Sequence, residues 1–263
     1  MAVFSIELAG VPAEITCRFP GNERFFRDYF TDRTPVISVE ASDADLERMQ
    51  AEFDRVFAAR GLPKRRQGAA FLENNALHAL LAENLTAFGV LLMHGSALCM
   101  DGQAIVFVAP SGTGKSTHAR LWREAFGNRV WMINDDKPML RLDGGRAVVC
   151  GTPWSGKHHL SRNASAPLKA IVRLTRDETN HIEPLKRADA FSALVMHSYR
   201  AGDPIIMRRI LALETGLLDA ADFYQLGCNM APEAAETAWQ VIRQHYFKEQ
   251  NDEAERQLSD TGY

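Results

Sequence analysis

The chain has 263 residues, 46% hydrophobic and 24% charged, and its 30 Lys and Arg against 33 Asp and Glu leave a formal net charge of -3. That composition belongs to an ordinary globular chain and excludes a disordered or collagenous one. A sequence pI near 6.3 offers no bulk positive charge to DNA, RNA or an anionic membrane, so neither nucleic acid nor membrane is expected as a partner.

Cys17, Cys99, Cys150 and Cys228 are far apart and form neither a C-x-x-C pair nor zinc-finger spacing, so a reducing, cytoplasmic setting is expected. The opening MAVFSIELAG has no basic stretch and carries Glu7 among its apolar residues, which argues against a signal peptide. No apolar run, Gly89 to Met93 included, is long enough to cross a bilayer.

Apolar and polar positions alternate around Val3 to Leu8, Ala13 to Phe19 and Val36 to Val39, which predicts three short strands. Leu46, Met49, Phe53, Val56 and Phe57 then recur at helical spacing after Ser42 and Asp43, and Gly61-Leu62-Pro63 ends the pattern. The basic run Lys64 to Arg66 reads as solvated surface. A second helix through Leu72, Ala76, Leu80 and Leu85 leads to His94-Gly95-Ser96. Beyond it strands and helices alternate as in an α/β sheet: a strand over Ala104 to Val108, a helix over Ser116 to Phe126 and a strand over Val130 to Ile133. A hairpin of Met139 to Leu142 and Ala147 to Cys150 turns at Asp143-Gly144-Gly145, and a strand covers Leu168 to Leu174. The remainder reads as mainly helical, with one strand at Phe223 to Gly227 and a last helix from about Ala231 to Lys248. These elements suggest an N-terminal α+β region over 1–88, a core over 89–248 and a polar flexible tail over 249–263.

The most specific segment is Ala104-Ile105-Val106-Phe107-Val108-Ala109-Pro110-Ser111-Gly112-Thr113-Gly114-Lys115-Ser116-Thr117, a hydrophobic strand entering a glycine-containing turn and then a helix. That is the context a G-x-x-x-x-G-K-[ST] phosphate loop requires. Gly112 and Gly114 open backbone angles that let successive amides form an anion nest with Ser111 and Thr113 at the positive end of the helix. Lys115 is expected to reach the β- and γ-phosphates of ATP, Ser116 to offer its hydroxyl to Mg²⁺, and Thr117 to touch the α-phosphate. The first glycine of the pattern is Ala109 here, which the loop accommodates if Ala109 keeps a negative φ.

About twenty residues on, Val130-Trp131-Met132-Ile133-Asn134-Asp135-Asp136-Lys137 is an apolar strand ending in two acids. In phosphoryl transfer one carboxylate at such a strand end holds the metal and another takes the acceptor's proton. The order His94-Gly95, Ser111 to Ser116, Asn134-Asp135-Asp136 resembles the HPr kinase/phosphorylase family and is similar to the ATP-dependent phosphoenolpyruvate carboxykinases that share its core. Ile133-Asn134-Asp135-Asp136-Lys137-Pro138 and Gly151-Thr152-Pro153-Trp154-Ser155-Gly156-Lys157 resemble segments of lasso-peptide-associated HPr-kinase-like proteins.

The resemblance covers roughly residues 90 to 175. It implies an α/β fold whose P-loop core is a twisted mixed sheet flanked by helices, beside the small strand-rich N-terminal region. It implies that Asp135 is the general base, that His94 sits against it, and that Asp136 supports the metal and phosphate end. Where HPr kinases carry an acidic residue before an Arg-Gly pair, this chain has Val149-Cys150-Gly151, so neither a second metal contact nor phosphorylase activity is carried over. Lys157, in the loop that follows, is a candidate for neutralising the transferring phosphoryl group or an anionic acceptor. His158 and His159 point to opposite faces if the segment is extended and so do not share an ion.

The expected activity is an ATP- and Mg²⁺-dependent kinase whose acceptor is a hydroxyl on a protein, a peptide or a small molecule. The alternatives are a nucleotide-hydrolysing switch, a non-catalytic nucleotide sensor and, less well supported, a carboxykinase. HPr kinases are hexamers, so a homo-oligomer is compatible with the resemblance.

Overall fold

A computed structural model describes residues 1–244. The polar tail expected over 249–263, and the expected end of the last helix at Lys248, lie outside the described residues. The alternating N-terminal segments form β1 (Ala2–Leu8) and β2 (Val11–Cys17), an antiparallel hairpin pairing Leu8 with Val11. α1 (Pro20–Phe25) follows, with a proline in its first turn. The sequence reading missed this helix because six residues are too few to display a periodicity. β3 (Ile37–Glu40) then joins β2 in parallel.

α2 (Asp43–Ala59) starts at Ser42, whose hydroxyl accepts the Asp45 amide at 3.2 Å while the Asp45 carboxylate accepts the Ser42 amide at 2.9 Å. That reciprocal pair is a capping box. α3 (Ala69–Leu85) buries Ala76, Leu77, Leu81 and Leu85 in a core shared with Ile6, Leu8 and Ile15 of the small sheet.

The large sheet begins with β4 (Val90–Leu92), β5 (Gly95–Met100) and β6 (Gln103–Val108). α4 (Lys115–Phe126), β7 (Val130–Asp136), β8 (Met139–Asp143) and β9 (Arg146–Cys150) come next. They are followed by β10 (Ser165–Arg176), β11 (His181–Pro184), α5 (Arg187–His197), α6 (Pro204–Ala220) and β12 (Asp222–Cys228). A last helix, α7, is described over 233–244. The strand order is β4-β8-β9-β10-β6-β5-β7, with β12 on β10 and β11 on β12. β10 runs parallel to β6 and β12, and the other neighbours of this sheet are antiparallel. The sheet is therefore mixed.

Helices cover both of its faces. Ile105 and Phe107 of β6 pack with Trp122 of α4 and Ala238 of α7, whereas Val106 and Val108 pack with Leu194 of α5 and Ile210 and Leu217 of α6. A strand buried on both sides reads as a continuous apolar run, as Ala104 to Val108 does. The N-terminal elements share their core with Val90 and Leu92 of β4, Met139 of β8 and Trp154. Among the described residues no helix is long and apolar enough to cross a membrane.

Candidate functional site

β6 leaves the sheet at Val108 and turns through residues 109–114 into α4. Gly112 and Gly114 adopt φ of 81° and 126°, and a Cβ at either would meet nothing within 4 Å. The need for glycine here is conformational, not spatial. Ala109 is buried and is not among the positive-φ residues, and its carbonyl accepts the Lys115 ammonium at 2.9 Å. Ser111 is exposed at the tip, and the Thr113 amide closes the turn on the Pro110 carbonyl at 3.2 Å. The first helical bond runs from the His118 amide to the Gly114 carbonyl at 2.8 Å. The amides of Lys115, Ser116 and Thr117 thus precede the helical ladder, at the positive end of α4.

β7 lies against β5 and carries the two acids farther into the sheet than expected. It extends to Asp136 because Ser96 pairs with Asp135 and Gly95 with Asp136. Asp135 is 3% exposed and accepts the Ser116 hydroxyl at 3.0 Å. Asp136 instead meets His94, with Oδ1 3.1 Å from Nδ1, and its Oδ2 lies 4.0 Å from the Lys137 ammonium. The expectation that His94 sits against Asp135 is therefore corrected. His94 lies just outside β5 and Asp136 leaves regular strand geometry at the end of β7, so the contact departs from simple alternation, which would group residue 94 with Asp135.

His94 is held at both ring nitrogens. Nε2 lies 3.2 Å from the Lys115 ammonium, and Nδ1 lies 3.1 Å from that of Lys137 as well as from Asp136. An ammonium only donates, so Nε2 accepts from Lys115 in the assignment that leaves the Nδ1 proton for Asp136. Burial pushes the Asp136 carboxyl up, but the His94 hydrogen bond and the charges of Lys137, His94 and Lys115 outweigh it and hold the group below the ordinary carboxylate range. Burial lowers the Lys115 ammonium, with Lys137 acting in the same direction and the two acids opposing. Asp136 also has φ of 139°, a strained angle for a residue with a Cβ and one that tends to occur at functional positions.

The loop after β9 braces this strand end. The Asn134 amide donates to the carbonyls of Thr152 and Trp154 at 3.0 and 2.9 Å and to the Thr152 hydroxyl at 3.1 Å, while its oxygen accepts the Lys137 amide at 2.7 Å. The Gly156 amide donates to the Asp135 carbonyl. The Asp135 amide donates to Leu160 at 2.8 Å, and the Arg162 amide to Ile133 at 3.0 Å. Trp154 reaches the N-terminal half: its indole donates to Asn74 at 2.9 Å and its ring lies 4.5 Å from that of His78. Lys157 belongs to this loop, but its side chain is exposed and is not brought into the cluster of acids. His158 and His159 are also exposed, and no group of three potential metal-ligating side chains occurs among the described residues.

Three features escaped the sequence reading. Arg176, at the end of β10, donates to the carbonyls of Gly112 and Thr113. His197, at the end of α5, is buried, and its carbonyl accepts the His94 amide at 2.6 Å. Burial first, then the charges of Lys115, His94 and Arg173, lowers its imidazole to about 4. A cleft of about 470 Å³ adjoins the glycine turn and is lined by Thr117, His118, Leu121, Leu174, Arg176 and Met230. The rule that ligands of open α/β sheets bind beyond the carboxyl ends of parallel strands points to this place, but only once β6, β10 and β12 are known to be adjacent.

No protein-family model and no curated protein sequence matches the chain. Among solved structures it is similar to the Hpr(Ser) kinase/phosphatase from Coxiella burnetii, with a TM-score of 0.38 and 12% identity, covering 64% of this chain and 97% of that one. Likeness at that level does not by itself assign an activity.

Proposed function

We propose that the chain is a phosphotransferase that binds ATP with Mg²⁺ through the 109–117 segment and passes the γ-phosphoryl group to a hydroxyl. The observation that carries this reading is the division of the two acids, Asp135 onto the Ser116 hydroxyl at 3.0 Å and Asp136 onto His94 at 3.1 Å. Phosphoryl transfer needs little covalent help from the protein beyond positioning and charge.

The Ser116 and Asp135 oxygens are hard donors, and Mg²⁺ usually takes one or two protein oxygens and completes its octahedron with water and phosphate. The pair fits that ion. A Mg²⁺ held by that pair would supply charge neutralisation for the transferring phosphoryl group. The free amides of α4 and the Lys115 ammonium cradle the phosphates, and the mixed apolar and polar cleft beside Leu121, Leu174 and Met230 suits a base and sugar.

On the other side, Asp136 receives the acceptor's proton. Its low pKa keeps it ionised, and the Nδ1 proton of His94 orients it. A carboxylate of that strength takes the proton late, as the acceptor oxygen bonds to phosphorus. The roles expected from the family resemblance are thus exchanged between the two acids. Val149, buried where HPr kinases carry an acidic residue, has an apolar side chain and offers no second metal contact.

The test is transfer from radiolabelled ATP to a whole-cell extract by the wild-type protein and by Asp136→Asn. Labelled acceptor with the wild type and none with the variant supports the reading. ATP consumption without any labelled acceptor would place the chain with the nucleotide-hydrolysing switches.

A further inference from the structure

We infer that Arg176 is a positioning residue that sets the anion-binding conformation of the glycine turn, an inference that rests on the nucleotide-binding reading above. Its guanidinium spans two consecutive peptide groups, with Nη2 donating to the Gly112 carbonyl at 2.6 Å and Nε to the Thr113 carbonyl at 3.3 Å. In a planar trans peptide the carbonyl and the following amide point in opposite directions. Holding the Gly112 carbonyl toward Arg176 turns the Thr113 amide away, and that amide closes the turn on Pro110 at 3.2 Å. Holding the Thr113 carbonyl likewise turns the Gly114 amide to the side opposite Arg176, next to the free amides that open α4.

Such a clamp has a physical purpose. Glycine at residues 112 and 114 allows φ of 81° and 126° but selects neither, because glycine also populates many other conformations. A loop with that freedom loses entropy when it closes on an anion, and ordering it beforehand removes part of the loss. Arg176 is suited to the task. It ends β10, which pairs with β6 through Arg173 and Val108, so both ends of the clamp stand on one sheet. The planar fork of a guanidinium also matches two carbonyls, which a lysine ammonium on its flexible stem does not hold in fixed geometry.

The experiment measures the affinity of the full chain for three probes, ATP, inorganic tripolyphosphate and adenosine, in the wild type, Arg176→Gln and Arg176→Lys. Positioning through the turn predicts that Arg176→Gln weakens ATP and tripolyphosphate by the same factor, about tenfold, the equivalent of one charge-assisted hydrogen bond. It predicts an unchanged melting temperature and, for adenosine, whose cleft Arg176 also lines, a change clearly smaller than the loss for tripolyphosphate. Arg176→Lys, which keeps the charge but not the fork, should stay closer to the glutamine variant than to the wild type. Full recovery with lysine would overturn the inference in favour of charge alone, and loss of ATP but not tripolyphosphate affinity would overturn it in favour of direct contact with the nucleoside. Wild-type affinity in both variants would overturn it outright. Failure of the wild-type protein itself to bind ATP or tripolyphosphate is a different result, which removes the nucleotide-binding reading and the inference with it.

Discussion

Asp135 and Asp136 are adjacent in sequence and have different neighbours, the Ser116 hydroxyl for one and His94 with Lys137 for the other. Substitution should separate them. Asp136→Asn is expected to abolish transfer while ATP affinity stays within a few-fold of the wild type, whereas Asp135→Asn should weaken binding of ATP in the presence of Mg²⁺ and leave metal-free binding nearly unchanged. Equal losses in both variants would show that the acids act as one group. His94 touches Asp136 through one nitrogen and Lys115 through the other. His94→Ala should therefore lower the transfer rate by about 10²-fold, the low end of what a general base and its orientation contribute, with a smaller change in ATP affinity.

At the scale of elements, the strand end at β7 is held by the loop that follows β9. Asn134→Ala removes the amide that donates to Thr152 and Trp154 and leaves the buried Thr152 carbonyl without that donor, while the Trp154 carbonyl keeps the Thr152 hydroxyl at 3.1 Å. The expected loss is about 1–3 kcal/mol in denaturant unfolding, together with a drop in transfer rate, because the acids stand on the same strand. Gly151→Ala should be worse, since the new Cβ would lie 1.8 Å from the Arg162 carbonyl. Either protein unfolding at the wild-type denaturant midpoint would remove the bracing role from this loop. These elements differ in how far they can be read from sequence. The strand, turn and helix around Gly112 carry local signals, namely a continuous apolar run, two glycines and a lysine at fixed spacing, and the structure has them where those signals lie. The Ser42 cap and the hairpin at Asp143-Gly144-Gly145 were legible for the same reason. The pairing of His94 with Asp136 was not, because it depends on the register of β5 against β7, a relation between segments forty residues apart that no local pattern encodes. Arg176 escaped for a similar reason, its contact with Gly112 spanning a parallel pairing of β10 with β6. β11 is four residues long and mostly exposed, so it gave no alternation to detect.

For the whole molecule, the N-terminal sheet and α3 share one core with β4, β8 and Trp154. Deletion of residues 1–88 should expose that apolar face, and the remaining chain is expected to aggregate or to bind a hydrophobic dye; a monomeric, cooperatively melting 89–263 fragment would contradict this. Burial also lowers three histidines in the folded chain from 6.5, His78 to about 3 and His118 and His197 to about 4. Below pH 6.5 the unfolded chain takes up protons that the folded chain refuses, so stability is lost as pH falls from 6.5 through 4. The melting temperature should fall steadily across that interval, and His118→Phe, which removes one of the three titrating groups, should flatten the slope. A melting temperature constant from pH 7 to 4.5 would show that these imidazoles are not buried in neutral form.

In the proposed function the turn around Thr113 and the two acids form one nucleotide site, with the acids in separate roles. Calorimetric titration of ATP, with and without Mg²⁺, into the wild type, Asp135→Asn and Asp136→Asn tests it most directly. All three proteins should bind ATP, with binding enhanced by Mg²⁺ in the wild type and in Asp136→Asn but not in Asp135→Asn. No heat with the wild type, or a Mg²⁺ enhancement lost in Asp136→Asn and kept in Asp135→Asn, would contradict it.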